Sequence, residues 1–262
     1  MNPTRLWRSE SATAQSLKIN RKEWGRTGAP TFFGSEVNNV IKAVIFDLDG
    51  TLADTILDLG QAMNGMLREF GWKERTMEEL IERINRGARL FVARSMPDEV
   101  YSDIDDDIVT KALAVYSEKY SKCYNDKTAP FDGVPELLAS LKADSIRLGV
   151  LSNKQDEFVR MIAERLFPGT FDFVLGQGKY PEKPCPDAAL AVARELCCEP
   201  CECMFVGDSD IDMKTANNAK MYAMGVSWGY RSPDVLTAAG AAEVAGTPDD
   251  IRARISAING KL

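Results

Sequence analysis

From residue 41 to the C-terminus, short apolar runs alternate with amphipathic stretches, and this rhythm limits the possible folds more than any other feature. The runs Lys42–Phe46, Arg147–Leu151, Phe171–Leu175, Cys203–Val206 and Met221–Gly225 have the length and apolar density of buried strands. Between them, Pro135–Lys142, Gln155–Arg165, Asp187–Leu196 and Ile211–Asn218 carry helical spacing, and a last helix is predicted at Pro248–Ile258. Strands and helices repeating in this way predict an α/β fold, a doubly wound parallel sheet with helices on both faces.

The rhythm fails once. Between Phe46 and Arg147 no convincing strand appears, and helices are expected instead at Leu57–Phe70, Met77–Arg86, Ala88–Ser95 and near Asp105–Cys123. An insertion directly after the first strand reads as a helical cap over the strand ends. The expected division is a core of 41–56 and 129–262 with a cap of 57–128. Within the cap, the acidic run Asp103–Asp107 has the residue types of a metal site, but it also suits a helix N-terminus, where the dipole favours negative charge.

In open α/β sheets, ligands bind beyond the carboxyl ends of the strands. Four groups of polar residues stand at such ends. "DLDGT" places Asp47 and Asp49 after the first strand, and residues two apart in an extended chain share a side. "LSNK" places Ser152 and Asn153 after the second, "YPEKPCP" carries Lys183 in a loop, and "GDSDID" places Asp208 and Asp212 one helical turn apart. Carboxylates brought together repel unless a cation lies among them. An oxygen-only donor set without His or Cys selects a hard ion such as Mg²⁺, which is commonly completed by substrate phosphate and water. The pattern implies a metal and an anionic substrate.

Composition narrows the chemistry further. The chain of 262 residues contains no histidine, which removes Ser-His-Asp and Cys-His mechanisms and every histidine metal site. Four of the six cysteines crowd into "CCEPCEC" as Cys197, Cys198, Cys201 and Cys203. Cys198-x-x-Cys201 has the spacing of half a zinc site, but no second pair follows, and reduced thiols of a cytoplasmic protein are the expected reading. Residues 1–40 carry a charge of +3 and the rest −10, for a net −7. An acidic body of this kind is a poor match for nucleic-acid backbones. No apolar run reaches membrane-spanning length, and the N-terminal 40 residues lack the apolar centre of a secretory signal. They read as an extension without ordered structure, although their basic, Ser/Thr-containing composition has a faint likeness to an organelle transit peptide.

Taken in order, "DLDGT", Ser152, Lys183 and "GDSDID" resemble the four motifs of the haloacid dehalogenase superfamily of phosphotransferases, over about residues 41–262. The resemblance implies a Rossmann-like core, Mg²⁺ and an aspartyl-phosphate intermediate. It implies Asp47 as nucleophile, since a carboxylate is ionised at neutral pH and needs no histidine to activate it. Asp49 is implied as the acid and base that serves the leaving alcohol and then the attacking water. Gly50 permits the sharp turn after the strand, and Thr51 holds that turn beside the substrate. Ser152 and the Asn153 backbone amide are implied as phosphoryl ligands, with Lys183 as the neutralising cation. Mg²⁺ would lie among Asp47, the Asp49 carbonyl, Asp208 and Asp212.

"NRGARLFVARSMP", "TAPFDGVPELLASLK" and "WGYRSPDVLTAAGA" are similar to the phosphoglycolate phosphatase branch, which implies a small phosphorylated metabolite as substrate. Sugar phosphates, nucleotides and pyrophosphate remain alternatives. Dehalogenases of the superfamily lack a counterpart of Asp49, and β-phosphoglucomutase-like isomerases imply a cap histidine that this chain does not have. A non-catalytic binding module would be expected to have lost Asp47, Asp49 or Lys183. For a substrate carboxylate, Arg89 is the cationic candidate, with Arg94 beside it; arginines at helical positions are also commonly solvated.

Overall fold

The computed structural model describes residues 40–84, 86–100, 103–104 and 106–260; the N-terminal extension inferred from sequence lies outside them. In chain order the elements are β1 (Ala43–Phe46), β2 (Ala53–Asp54), α1 (Ile56–Glu69), α2 (Met77–Arg83), α3 (Gly87–Ser95), α4 (Asp107–Cys123), β3 (Ala129–Pro130) and α5 (Val134–Ala143). There follow β4 (Arg147–Gln155), α6 (Asp156–Leu166), β5 (Phe173–Gln177), α7 (Asp187–Glu195), β6 (Cys203–Gly207), α8 (Asp210–Ala219), β7 (Tyr222–Val226), α9 (Pro233–Ala238), β8 (Glu243–Ala245) and α10 (Pro248–Ile258).

Six strands form one sheet in the order β5-β4-β1-β6-β7-β8, and every pairing is parallel. The chain winds outward from β1 through β4 to β5, then returns to the other side of β1 at β6. Strand order therefore reverses beside β1, the place where ligands settle in such sheets. Alternate residues of each strand feed opposite layers. Val44, Phe46, Val150, Met204 and Val206 pack in one apolar cluster with α5 and α10, while Ala43, Ile45, Leu151, Cys203 and Phe205 pack in another with α7 and α8. Both faces are buried, which is why these strands read as continuous apolar runs rather than alternating ones.

Helices α1 to α4 build a third apolar cluster of their own, joined by Phe158 from α6. A two-stranded antiparallel stem forms where the chain leaves and rejoins the core, with Ala53 opposite Pro130 and Asp54 opposite Ala129. The cap is also tied from the other side: the Arg231 guanidinium, after β7, donates to the carbonyls of Ile81 (2.7 Å) and Ile84 (3.1 Å). Those oxygens belong to the C-terminal end of α2, whose last carbonyls have no partner within the helix.

Most elements lie within two residues of their expected places. The stem strands, α9 and β8 were not expected, and β4 runs on through Gln155 where a strand ending at Leu151 was predicted. α2 ends at Arg83, three residues earlier than expected, and α4 begins at Asp107. Of the acidic run, Asp105 lies outside the described residues; the Asp106 carboxylate accepts from the Asp103 amide in the turn that opens α4.

Candidate active site

The register of the sheet sets the site. Phe46 pairs with Val150 on one side and Val206 on the other, so the residues that follow these three, in β4 and after β1 and β6, come out at one level of the sheet. Asp47 follows immediately, its amide donating 2.9 Å to the Val206 carbonyl, which keeps the residue in line with the strand. Gly50 then turns the chain back with φ +85°, a conformation that favours glycine. A Cβ there would also lie 2.4 Å from Asp208 Oδ2, so the turn and the carboxylate share space that only glycine leaves open.

Asp208 and Asp212 come from the β6–α8 junction. The Asp208 carboxylate is fully buried and accepts from the Tyr230 amide at 2.8 Å and the Thr51 hydroxyl at 3.3 Å. Asp212 is the N3 residue of a capping box: its Oδ2 accepts from the Ser209 amide at 3.1 Å and hydroxyl at 2.5 Å. Gly207 makes this possible, because a Cβ there would approach the Asp212 Cβ to 2.3 Å.

Lys183 joins the two sides. Its ammonium lies 2.7 Å from Asp212 Oδ1 and 2.9 Å from Asp47 Oδ1, and it donates to the Leu151 carbonyl at 3.1 Å. Asn153 fixes the loop carrying it, accepting from the Lys183 amide at 2.8 Å and donating to its carbonyl at 3.1 Å. The contact with Asp47 is close in charge but off the direction of a hydrogen bond, so Asp47 Oδ1 is a buried acceptor without a donor.

Burial pushes the Asp47 carboxyl up to about 7; the Lys183 charge pulls it down, and the Asp212 and Asp49 charges add to the rise. Burial likewise pushes Asp208 well above the usual carboxylate range, helped by Asp212 and Asp47. For Lys183 burial works against the charge, but the neighbouring Asp212 and Asp47 outweigh it and push the group up. One carboxylate oxygen from each of Asp47, Asp208 and Asp212 lies within 4.8 Å of the others. Among the described residues, Lys183 pairs with Asp47 and Asp212 and Lys154 pairs with Asp49, so the carboxyl groups of this cluster outnumber the ammonium groups beside them. An oxygen-rich, buried acidic cluster with an orphaned acceptor fits a hard divalent cation, which would take the place of the protons that burial favours.

Above the cluster lies a cavity of about 60 Å³, room for a few water molecules. Asp47, Asp49, Ser152, Asn153 and Lys183 form its polar side, and Leu59, Ile84, Phe91 and Tyr116 of the cap form its apolar roof. Asp49 is oriented by the Thr55 hydroxyl at 2.5 Å and by an ion pair with Lys154.

Comparison with known proteins gives the family. A model of the haloacid dehalogenase-like hydrolases matches residues 44–226, which run from within β1 to the end of β7 and contain every residue of the cluster. The chain belongs to the haloacid dehalogenase-like hydrolases. Among curated relatives of this hydrolase, a phosphoglycolate phosphatase of Pseudomonas putida is 31% identical over 72% of this chain and 70% of its own. One of Nitrosospira multiformis is 34% identical over 72% of this chain and 85% of its own. A crystal structure from Lactobacillus delbrueckii subsp. bulgaricus, itself provisionally assigned as a phosphoglycolate phosphatase, superposes with a TM-score of 0.76 at 32% identity, covering 83% of this chain and 98% of the other. The hydrolase is an enzyme of the phosphatase type.

Of the residues singled out in the sequence, Asp47, Asp49, Ser152, Asn153, Lys183, Asp208 and Asp212 converge at the strand ends of the hydrolase. Thr51 is buried against Asp208 rather than lining the cavity. Arg89 lies apart from this group. Its guanidinium donates to the Ile104 carbonyl at 2.9 Å and the Thr110 hydroxyl at 3.1 Å, within the cap, and it is absent from the cavity wall. Lys154 was missed. It stands two residues beyond Ser152, so in an extended chain the two side chains share a side. The signal was present in "LSNK", but a strand stopped at Leu151 hides it. Pairing of β4 with β5 is also irregular between Leu151 and Gln155, where a bulge re-aims side chains.

Proposed function

We propose that this hydrolase is a Mg²⁺-dependent phosphomonoesterase that works through a phosphorylated Asp47 on a small metabolite, 2-phosphoglycolate foremost. One observation carries the reading: Asp47 stands on the floor of a cap-roofed cavity, 2.9 Å from the Lys183 ammonium and within a three-carboxylate cluster. The substrate assignment draws on the curated relatives, whose names specify phosphoglycolate.

Asp47, Asp208 and Asp212 are the side chains that would hold Mg²⁺, which when bound neutralises charge on the transferred phosphoryl group. An Asp47 oxygen attacks phosphorus in line, the bond from phosphorus to the ester oxygen breaks, and its electron pair stays with that oxygen. Asp49 gives its proton to the departing alcohol. Water then attacks phospho-Asp47 at phosphorus, Asp49 accepts the water proton, and inorganic phosphate leaves. Ser152 and the Asn153 amide hold phosphoryl oxygens while Lys183 balances their charge. The apolar roof keeps bulk water from the intermediate and favours short esters over proteins and nucleic acids.

Phosphate release from a panel of small phosphomonoesters, with Mg²⁺ and after chelation, tests the proposal. Expected are activity restored by Mg²⁺ alone, inhibition by Ca²⁺ with its looser coordination, and 2-phosphoglycolate among the best substrates. Full turnover after exhaustive chelation contradicts the metal requirement. Brisk hydrolysis of sugar phosphates or nucleotides with negligible turnover of 2-phosphoglycolate contradicts the substrate assignment alone.

A further inference from the structure

We propose that Lys154 reads a carboxylate on the leaving group, and so selects phosphate esters that carry an acid one carbon beyond the ester oxygen. This rests on the phosphatase reading above. The cavity wall contains two cations, Lys183 and Lys154. Lys183 is committed to Asp47, Asp212 and the Leu151 carbonyl, at the phosphoryl end. The rest of the wall is largely apolar, so the non-transferred part of a substrate meets one positive charge.

Lys154 is held where that charge would act. Its side chain is 7% exposed, its ammonium pairs with the Asp49 carboxylate, and it lies 5.1 Å from the centre of the Tyr120 ring. The aromatic face supports a cation from one side while leaving it open to an anion on another. Keeping an ammonium so buried is costly unless it is paired. Asp49 is the group that protonates the ester oxygen, so an ammonium bound to Asp49 lies beside the first atoms of the leaving group. An acid on the adjacent carbon comes within reach of it, and both Asp49 and Lys154 line the same cavity. The flexible stem of lysine lets one ammonium contact both Asp49 and the substrate.

The test compares kcat/KM on 2-phosphoglycolate and on 2-hydroxyethyl phosphate, in which a hydroxymethyl group replaces the carboxylate. The wild-type enzyme should prefer the acid. Lys154→Met should lose roughly 10–100-fold more on 2-phosphoglycolate than on the neutral ester, the range for one charge-assisted bond, and Lys154→Arg should keep a preference for the acid. Equal losses on both esters would make Lys154 a partner of Asp49 only and overturn the inference. Wild-type parity between the two esters overturns it without any variant, while leaving the phosphatase standing. Failure of the wild-type enzyme to hydrolyse either ester, or any other phosphomonoester, removes the phosphatase reading and this inference with it.

Discussion

Asp47 sits under opposed influences, and its proton is the means of observing them. Burial holds the carboxyl near 7, against 3.8 for the free group, with Lys183 pulling the other way. In the metal-free protein Asp47 therefore keeps a proton that the unfolded chain has already released above about pH 4. The folded state binds more protons in that interval, so its stability falls as pH rises from about 4 to 7; Asp208, raised by burial, acts in the same direction. A bound cation replaces these protons, so its affinity rises over the same window. The gain in Tm on adding Mg²⁺ should be small at pH 5 and large at pH 7.5. A gain independent of pH, or larger in acid, contradicts the placement of Asp47 and Asp208 in the metal cluster.

At the scale of elements, the cap depends on a clamp that is separate from the chemistry. Asp58, in the first turn of α1, is fully buried; its carboxylate accepts from the Lys127 amide at 3.0 Å, the Thr128 amide at 2.8 Å and the Thr128 hydroxyl at 2.7 Å. It thereby fastens the chain leaving the core to the chain returning. Asp58→Ala leaves those buried donors without a partner and should cost about 2–3 kcal/mol in urea unfolding. A loss below about 0.5 kcal/mol would show that water or the stem replaces the clamp.

Neither the clamp nor the stem was legible in the sequence, for a physical reason. Strands of two residues carry no periodicity, and β8 with three residues carries hardly more. Asp58 occupies a helical position beside exposed Leu57, and nothing local distinguishes a carboxylate turned inward from a solvated one. β1 and β6 were legible because burial on both faces leaves an unbroken apolar run. The carboxylates Asp47, Asp49 and Asp208 were legible because each breaks or follows such a run. The direction of Arg89 was not legible, because a helical position alone does not set it; the cap turns it toward Ile104 and Thr110.

Over the whole molecule, the sheet supplies one end of the site and the cap the other. β1, β4 and β6 bring Asp47, Ser152 with Asn153, and Asp208 with Asp212 to one region of the sheet, while α1, α3 and α4 roof them with apolar side chains. Asp47 lies at the centre of this arrangement, and the proposed covalent chemistry requires it. The most direct measurement is kcat of Asp47→Asn on 2-phosphoglycolate, or on whichever phosphomonoester the wild-type enzyme hydrolyses best, in saturating Mg²⁺ and with folding verified by thermal melting. The side chain keeps its shape but loses the nucleophilic oxygen charge, so kcat should fall by at least about 10³ while the protein stays folded. Near-normal turnover by the folded variant would contradict covalent catalysis at Asp47.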